Sequence, residues 1–233
     1  MIVIMDKIKH VVNRGVDKRV IFNDSQDYLR FIHDMFEFND EESVNSTWYK
    51  FKKSNNPEIS VIRRRNIEKM PRKRLVDILA FCLMPNHYHL LLTPRKENAV
   101  PKFMKKLNMG YARYFNTKNT RSGALFEGRY RSVDITEQAH FLYVPFYIHL
   151  NPLDLHTPSW RNGLIQNSGE ALNFLEDYRW SSFPDYVGKK NFPSVTSRDF
   201  LSEFFEGAEK HKKDMLDWLQ QREPDGKDSV FLE

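Results

Sequence analysis

Two histidines, His87 and His89, sit in the run Phe81-Cys82-Leu83-Met84-Pro85-Asn86-His87-Tyr88-His89-Leu90-Leu91-Leu92. Side chains two apart on a β-strand project to the same face. The apolar, β-leaning surroundings place both imidazoles in a dry wall, with Tyr88 on the opposite side. Two fixed nitrogen donors on one face are the start of a divalent-metal site. About sixty residues downstream lies Phe141-Leu142-Tyr143-Val144-Pro145-Phe146-Tyr147-Ile148-His149-Leu150-Asn151. On a helix, positions four apart share a face, so Tyr143, Tyr147 and Asn151 form one polar stripe. Asn151 offers a carbonyl oxygen to complete the ligand set of the two histidines, and Tyr147 a phenol oxygen one turn away. A phenol with a pKa near 10 is a poor nucleophile at neutral pH. A nearby cation favours the phenolate and polarises a bound phosphate oxygen. Mg²⁺ or Mn²⁺ is the expected ion, although imidazole takes Zn²⁺ and other transition metals more tightly. His149, two residues from Tyr147, points elsewhere and is expected in the core. Tyr143 is expected to pack or to touch substrate.

The elements that must position these groups follow from periodicity. Ile8 to Asn13 reads as a strand, and Asp24 or Ser25 caps a helix running through Tyr28, Leu29, Phe31, Ile32, Met35 and Phe36. Asn39 to Pro71 is polar and irregular and reads as an insertion. Leu75 to Met84 and His87 to Thr93 are strands joined tightly at Pro85-Asn86. A helix is expected over Val100 to Asn116 and a fourth strand over Leu125 to Ile135. Thr136 then caps a helix that Pro152 ends. Strand, helix, two strands, helix, strand is the order of an α+β, ferredoxin-like antiparallel sheet with its helices on one face. Pro145 is expected to kink the last helix, or that helix begins later. The pattern divides the chain into a domain over residues 1–190 and a C-terminal helical extension over 191–233, with one helix from Phe200 to Trp218.

Composition narrows the partners. A chain of 233 residues with 40% hydrophobic and 14% aromatic residues supports a folded core. Its single cysteine, Cys82, excludes an intramolecular disulfide and a multi-cysteine zinc site. The opening residues are charged too soon for a secretory signal, and no run approaches a membrane span, so a soluble cytoplasmic protein is expected, with no membrane partner. Net charge is +5, concentrated in two tracts. Lys50 to Arg74 includes Arg63, Arg64 and Arg65. Lys102 to Arg131 includes Lys105, Arg113, Arg121, Arg129 and Arg131, interleaved with Phe103, Tyr111, Tyr114, Phe115, Phe126 and Tyr130. Basic groups mixed with aromatics suit a polyanion with stackable bases, or form a solvated face over core aromatics.

Several separated segments together resemble the single-tyrosine HUH endonucleases (His, hydrophobe, His), most of all the REP-associated tyrosine transposases. They are His10-Val11-Val12-Asn13-Arg14-Gly15, Met84 to Leu91, Tyr111 to Asn116, Gly123 to Ser132, Tyr147-Ile148-His149-Leu150-Asn151-Pro152 and Tyr178 to Phe183. The resemblance implies a ferredoxin-like fold that nicks single-stranded DNA beside a hairpin or inverted repeat. It implies His87 and His89 as the metal-binding pair, Asn151 as the ligand from the helix and Tyr147 as the nucleophile. A 5′-phosphotyrosine link and a free 3′-hydroxyl are the expected products, and reversal allows strand transfer. The DNA contacts are expected from Arg14, Arg63, Arg64, Arg65, Lys105, Arg113, Arg121, Arg129 and Arg131; a homodimer is left open. Two other functions fit the same residues: a non-catalytic, domesticated hairpin-binding protein, and a metal-dependent hydrolase using a metal-bound water. The intact His, His, Tyr and Asn set argues against the first, since binding alone needs none of them.

Overall fold

The computed structural model describes residues 8–41 and 72–221. Most of the expected insertion, with Arg63, Arg64 and Arg65, lies outside the described residues. Strands β1 (Ile8–Arg14), β2 (Val76–Met84), β3 (His87–Pro94) and β4 (Arg131–Ile135) form a four-stranded sheet in the order β2-β3-β1-β4. Every neighbouring pair is antiparallel. With helices α1 (Ser25–Glu37) after β1 and α2 (Ala99–Lys118) after β3, this is the expected ferredoxin-like arrangement. Asp24 caps α1 by accepting from the backbone N–H of Asp27 at 3.1 Å, which satisfies one of the donors a helix start leaves open.

One face of the sheet follows the expectation. Val11, Phe81, Leu83, Tyr88, Leu90 and Leu92 pack there against Phe31 and Met35 of α1 and Phe103, Leu107 and Tyr111 of α2. The other face is covered too. Ile8, Ala80, Cys82, Met84 and Leu91 pack against Phe141, Val144 and Ile148 of α3 (Gln138–Leu150), and against Tyr186, Leu201 and Phe205 from the C-terminal part of the chain. Helices on one face are therefore half of the architecture. The edge strand β2 and the central strand β3 are both buried on their two faces, as their near-continuous apolar sequences require. In β2 the pairing slips between Ile78 and Ala80. This bulge inverts the alternation, so that Ile78 and Phe81, three apart, face the same core.

Three expectations are corrected. The fourth strand begins at Arg131 rather than Leu125. Residues 125–130 instead bury Leu125 and Phe126 and cross β1 once, at Gly15–Phe126. Thr136 does not cap α3; Glu137 holds the cap position and makes no side-chain cap bond. The helix expected from Phe200 to Trp218 is two helices, α6 (Asp199–Phe204) and α7 (Ala208–Gln221), after the shorter α4 (Ser168–Asp177) and α5 (Phe183–Tyr186). Between α6 and α7 the chain turns through left-handed Glu206 (φ 57°) and Gly207 (φ 98°), which no α-helix can contain. No helix among the described residues is long and apolar enough to cross a membrane.

The chain leaves the described core after Glu41 and returns at Arg72 beside its point of departure. Glu41 N–H donates to the Lys73 carbonyl at 2.9 Å. The buried Asn39 closes the junction: its Oδ1 accepts from Leu75 N at 3.0 Å and Val76 N at 2.9 Å, and its Nδ2 donates to Val76 O at 2.8 Å. Replacing Asn39 by alanine strands three buried backbone groups at the start of β2. The expected loss is about 2–4 kcal/mol of unfolding free energy, measured by urea denaturation; a loss under about 0.5 kcal/mol would show that water replaces the clip.

Candidate active site

His87 and His89 leave β3 on the α3 face, opposite Arg14 and Val12 of β1. Their ring centroids are 5.0 Å apart and the rings nearly perpendicular, at 79°. Tyr147 enters from α3, which Phe141, Val144 and Ile148 seat on the sheet. Its ring centroid is 5.7 Å from that of His89, edge to face. The helix runs without a break across the buried Pro145, although proline removes the N–H that would reach the Phe141 carbonyl. The tyrosine beside the histidines is therefore Tyr147. The Tyr143 ring lies 5.9 Å from Tyr147 and 6.3 Å from Trp218 of α7, as a packing residue would. His149 is buried and its Nε2 meets Ser182 Oγ at 2.8 Å, the core role expected of it.

Sequence reasoning missed His10. Its ring stacks on His89 with centroids 5.2 Å apart and planes 9° from parallel, and Nε2 of His10 lies 3.0 Å from Nδ1 of His89. The available signal was that Ile8, His10 and Val12 share the strand face that His87 and His89 share on β3, so His10 is a diagonal neighbour of His89. The bond bears on the tautomer. With the proton on Nδ1, His89 donates to His10 and keeps a lone pair on Nε2, a buried atom with no other protein partner. His87 is oriented likewise. The Asn86 amide donates from Nδ2 to the Lys18 carbonyl at 3.3 Å, so its Oδ1 accepts from His87 Nδ1 at 2.7 Å. Each imidazole is held through Nδ1, which leaves Nε2 for a ligand, as outer partners do at metal sites.

The electrostatics fit neutral imidazole ligands. Burial pushes the His10 pKa down to about 3. Burial, then the Arg14 charge, lowers His87 to about 4. Burial, with His87, His10, Arg161 and Arg14 adding to it, holds His89 well below the usual histidine value. None of the three carries a proton charge near neutral pH, so no cation in the pocket competes with a metal for these nitrogens. Among the described residues no group of three or more His, Cys, Asp or Glu side chains is arranged to hold a metal. The protein donors would be His87, His89 and the Asn151 oxygen, with open positions left for substrate.

Asn151 is buried at the end of α3 and fully engaged. Its Nδ2 donates to the Tyr147 carbonyl at 2.7 Å and its Oδ1 accepts from Arg161 Nη2 at 3.2 Å. A carbonyl oxygen has two lone pairs, so ligation of a metal by Asn151 would share that oxygen with Arg161. Arg161 is the second residue sequence reasoning missed. It lies in the 3₁₀ turn Pro158–Asn162, where no periodicity marks it.

The expected DNA contacts are dispersed. Arg14 stands directly opposite His87 at the mouth of the site. Lys105 and Arg129 line one groove with Met104, Asn108, Met109 and Tyr130. Tyr88 Oη donates to Asn108 at 2.5 Å, so this groove is tied to the face of β3 opposite the histidines. Arg129 precedes β4 and does not alternate with Arg131 on a strand; both are exposed. Arg113 is exposed on α2. Arg121 spends its guanidinium on Asn116 Oδ1 and the Ala124 carbonyl, closing its own turn.

Replacing His10 by alanine removes the group that selects the His89 tautomer. Mn²⁺ affinity is expected to fall about 10- to 100-fold, read by calorimetric titration, with the far-ultraviolet spectrum unchanged. Equal affinity in the variant would mean that His89 is oriented without it.

Residues 44–151 match the family model described as "Transposase IS200 like", a span that contains His87, His89, Tyr147 and Asn151. A solved structure of a REP-associated tyrosine transposase bound to a REP hairpin is similar over 84% of this chain and 88% of that one, at 13% identity and a TM-score of 0.46. No curated protein matches significantly. The segment that carries the histidine pair and the helix tyrosine is thus similar to the IS200-like transposases.

Proposed function

We propose that this protein is a transposase-like enzyme that cuts and rejoins single-stranded DNA beside a hairpin, with Tyr147 as nucleophile and a divalent cation held by His87, His89 and Asn151. The observation that carries the reading is the convergence of residues nearly sixty positions apart: the Tyr147 ring packs edge-on to His89 at 5.7 Å, at the pair of imidazoles whose Nε2 atoms are left for a ligand. Structural packing alone has no use for a buried phenol beside buried neutral imidazoles, since each desolvated polar atom costs free energy. The hairpin preference follows from the motif resemblance.

In the cleavage step the Tyr147 hydroxyl oxygen bonds to phosphorus and the bond from phosphorus to the 3′-oxygen breaks. The phenol proton passes to solvent, and the released 3′-oxygen takes one up. The products are a 5′-phosphotyrosine and a free 3′-hydroxyl. Attack by another 3′-hydroxyl reverses the step and transfers the strand. Mg²⁺ or Mn²⁺ bound at the histidines would supply the charge that polarises the scissile phosphate. Tyr147 is held for attack by its helix and by the Asn151 amide on its carbonyl. The walls of the site, buried to 1% exposure at His89, keep water from competing with the phenol.

A hairpin oligonucleotide labelled 3′ to the nick, incubated with Mg²⁺ or Mn²⁺ and run on a denaturing gel, tests the reading. Wild type and Tyr143→Phe are expected to carry label into a protein-sized band, and Tyr147→Phe is not, with hairpin affinity near wild type. His87→Ala/His89→Ala is expected to lose metal-dependent cutting. Cleavage by wild type without an adduct would make a metal-bound water the nucleophile, and binding without cleavage would leave a hairpin-binding protein.

The groove lined by Lys105, Arg129 and Tyr130 is the proposed path of the strand outside the site, with Tyr130 as a stacking surface. Replacing Lys105 and Arg129 by alanine is expected to reduce the salt slope for single-stranded DNA by about 0.7 per lost phosphate contact. An unchanged slope in a filter-binding titration over a range of salt would place the strand elsewhere.

A further inference from the structure

Arg161 is built into the site more firmly than packing needs. Its guanidinium carbon lies 5.5 Å from the centre of the Tyr147 ring and 4.7 Å from that of the buried Trp160. Nε donates to Asp154 Oδ1 at 2.9 Å, and Nη2 donates to Asp154 Oδ2 at 2.8 Å and to Asn151 Oδ1 at 3.2 Å. Asp154 is itself fixed by Trp160 Nε1 at 2.5 Å. The bidentate fork, the indole and the ring together leave the guanidinium little freedom. These bonds occupy Nε and Nη2, and the Tyr147 side chain is a further hydrogen-bond partner of the guanidinium. The side chain keeps 26% exposure. Burial works against the charge, but Asp154 and Tyr147 hold the proton on more tightly than usual. The Arg161 charge also helps to lower the pKa values of His87 and His89.

We propose that Arg161 is a further catalytic residue of this site, a fixed guanidinium that binds a non-bridging oxygen of the scissile phosphodiester as Tyr147 attacks it. The proposal rests on the reading of Tyr147 as nucleophile. Phosphoryl transfer gathers negative charge on the non-bridging oxygens, and a positioned cation is worth most where charge accumulates and reorganisation is absent. Asp154 orients the fork, and its Oδ1 is itself held by the Trp160 N–H. Through Asn151, the arginine and the proposed metal would meet on the same phosphate from two sides.

The test is adduct formation on two hairpin substrates, one with an ordinary scissile phosphate and one with an uncharged methylphosphonate there. With the phosphate, Arg161→Gln is expected to slow adduct formation by about 10²- to 10³-fold, while hairpin affinity and Mn²⁺ affinity stay near wild type. With the methylphosphonate, wild type and Arg161→Gln are expected to react at similar rates, because no charge remains for the arginine to meet. A purely structural role would slow both substrates alike, and that result overturns the proposal. So does a wild-type rate for Arg161→Gln on the phosphate while Tyr147→Phe forms no adduct. If Tyr147→Phe still forms the adduct, the nucleophile reading fails and the proposal with it. If Arg161→Gln does not fold, with Asp154 left unpaired, the double variant Arg161→Gln/Asp154→Asn removes the stranded carboxylate and the same substrate comparison applies.

Discussion

The organising constraint is the burial of β3 on both faces. Alternation sends Tyr88, Leu90 and Leu92 into one core and His87, His89 and Leu91 toward α3. A slip of one residue would put both imidazoles into the α1–α2 core and Tyr88 into the site, so the register is strongly specified. Everything at the site inherits this. His10 can meet His89 only because β1 pairs with β3 in the register Val12 to His89, and Tyr147 can meet them only because α3 is seated on that same face. The second apolar layer, with Phe141, Val144, Tyr186, Leu201 and Phe205, is what makes the histidine face a dry interior.

Dryness then sets the chemistry. Water is removed from the three imidazoles, which burial keeps neutral; His87 and His89 are held by hydrogen bonds at Nδ1, and His10 through its Nε2. A fixed cation beside them, Arg161, is held by Asp154 in a bidentate pair. Neutral nitrogen donors and a permanently charged guanidinium divide the labour that a phosphate site demands: the first suit a metal, the second an anion. The aromatic surroundings contribute more than packing. Trp160 fixes the Asp154 carboxylate through its indole N–H, and the Tyr147 ring meets His89 edge-on and lies 5.5 Å from the Arg161 guanidinium carbon.

The same logic explains how the fold tolerates a long polar excursion. The chain departs after Glu41 and returns at Arg72, and Asn39 substitutes for the backbone partners that the start of β2 lacks. The closed junction lies on the α1 side, where Lys102 reaches the Glu41 carbonyl at 3.1 Å.

By itself the sequence determined the order of the sheet domain's elements, the sheet class and the shared faces of the histidine pair and the tyrosine stripe. These features are carried by short-range periodicity: two-residue spacing in β3 and four-residue spacing in α3. It also marked Asn151 and the tight Pro85-Asn86 link. Only the tertiary structure decided the rest. The β2 bulge hides the true face assignment of Ile78 and Phe81, because one inserted residue breaks the alternation that a pattern reads. His10 looked like an ordinary strand residue until the β1–β3 register set it against His89. Arg161 lies in a 3₁₀ turn, and its place over Tyr147 comes from the way Leu153 and Trp160 pack against Leu175 and Met215. Pro145 suggested a misdirected tyrosine, yet the sheet and the C-terminal helices hold α3 straight enough to keep Tyr147 on the histidines. Local spacing reports which side chains share a face; only packing decides which faces meet.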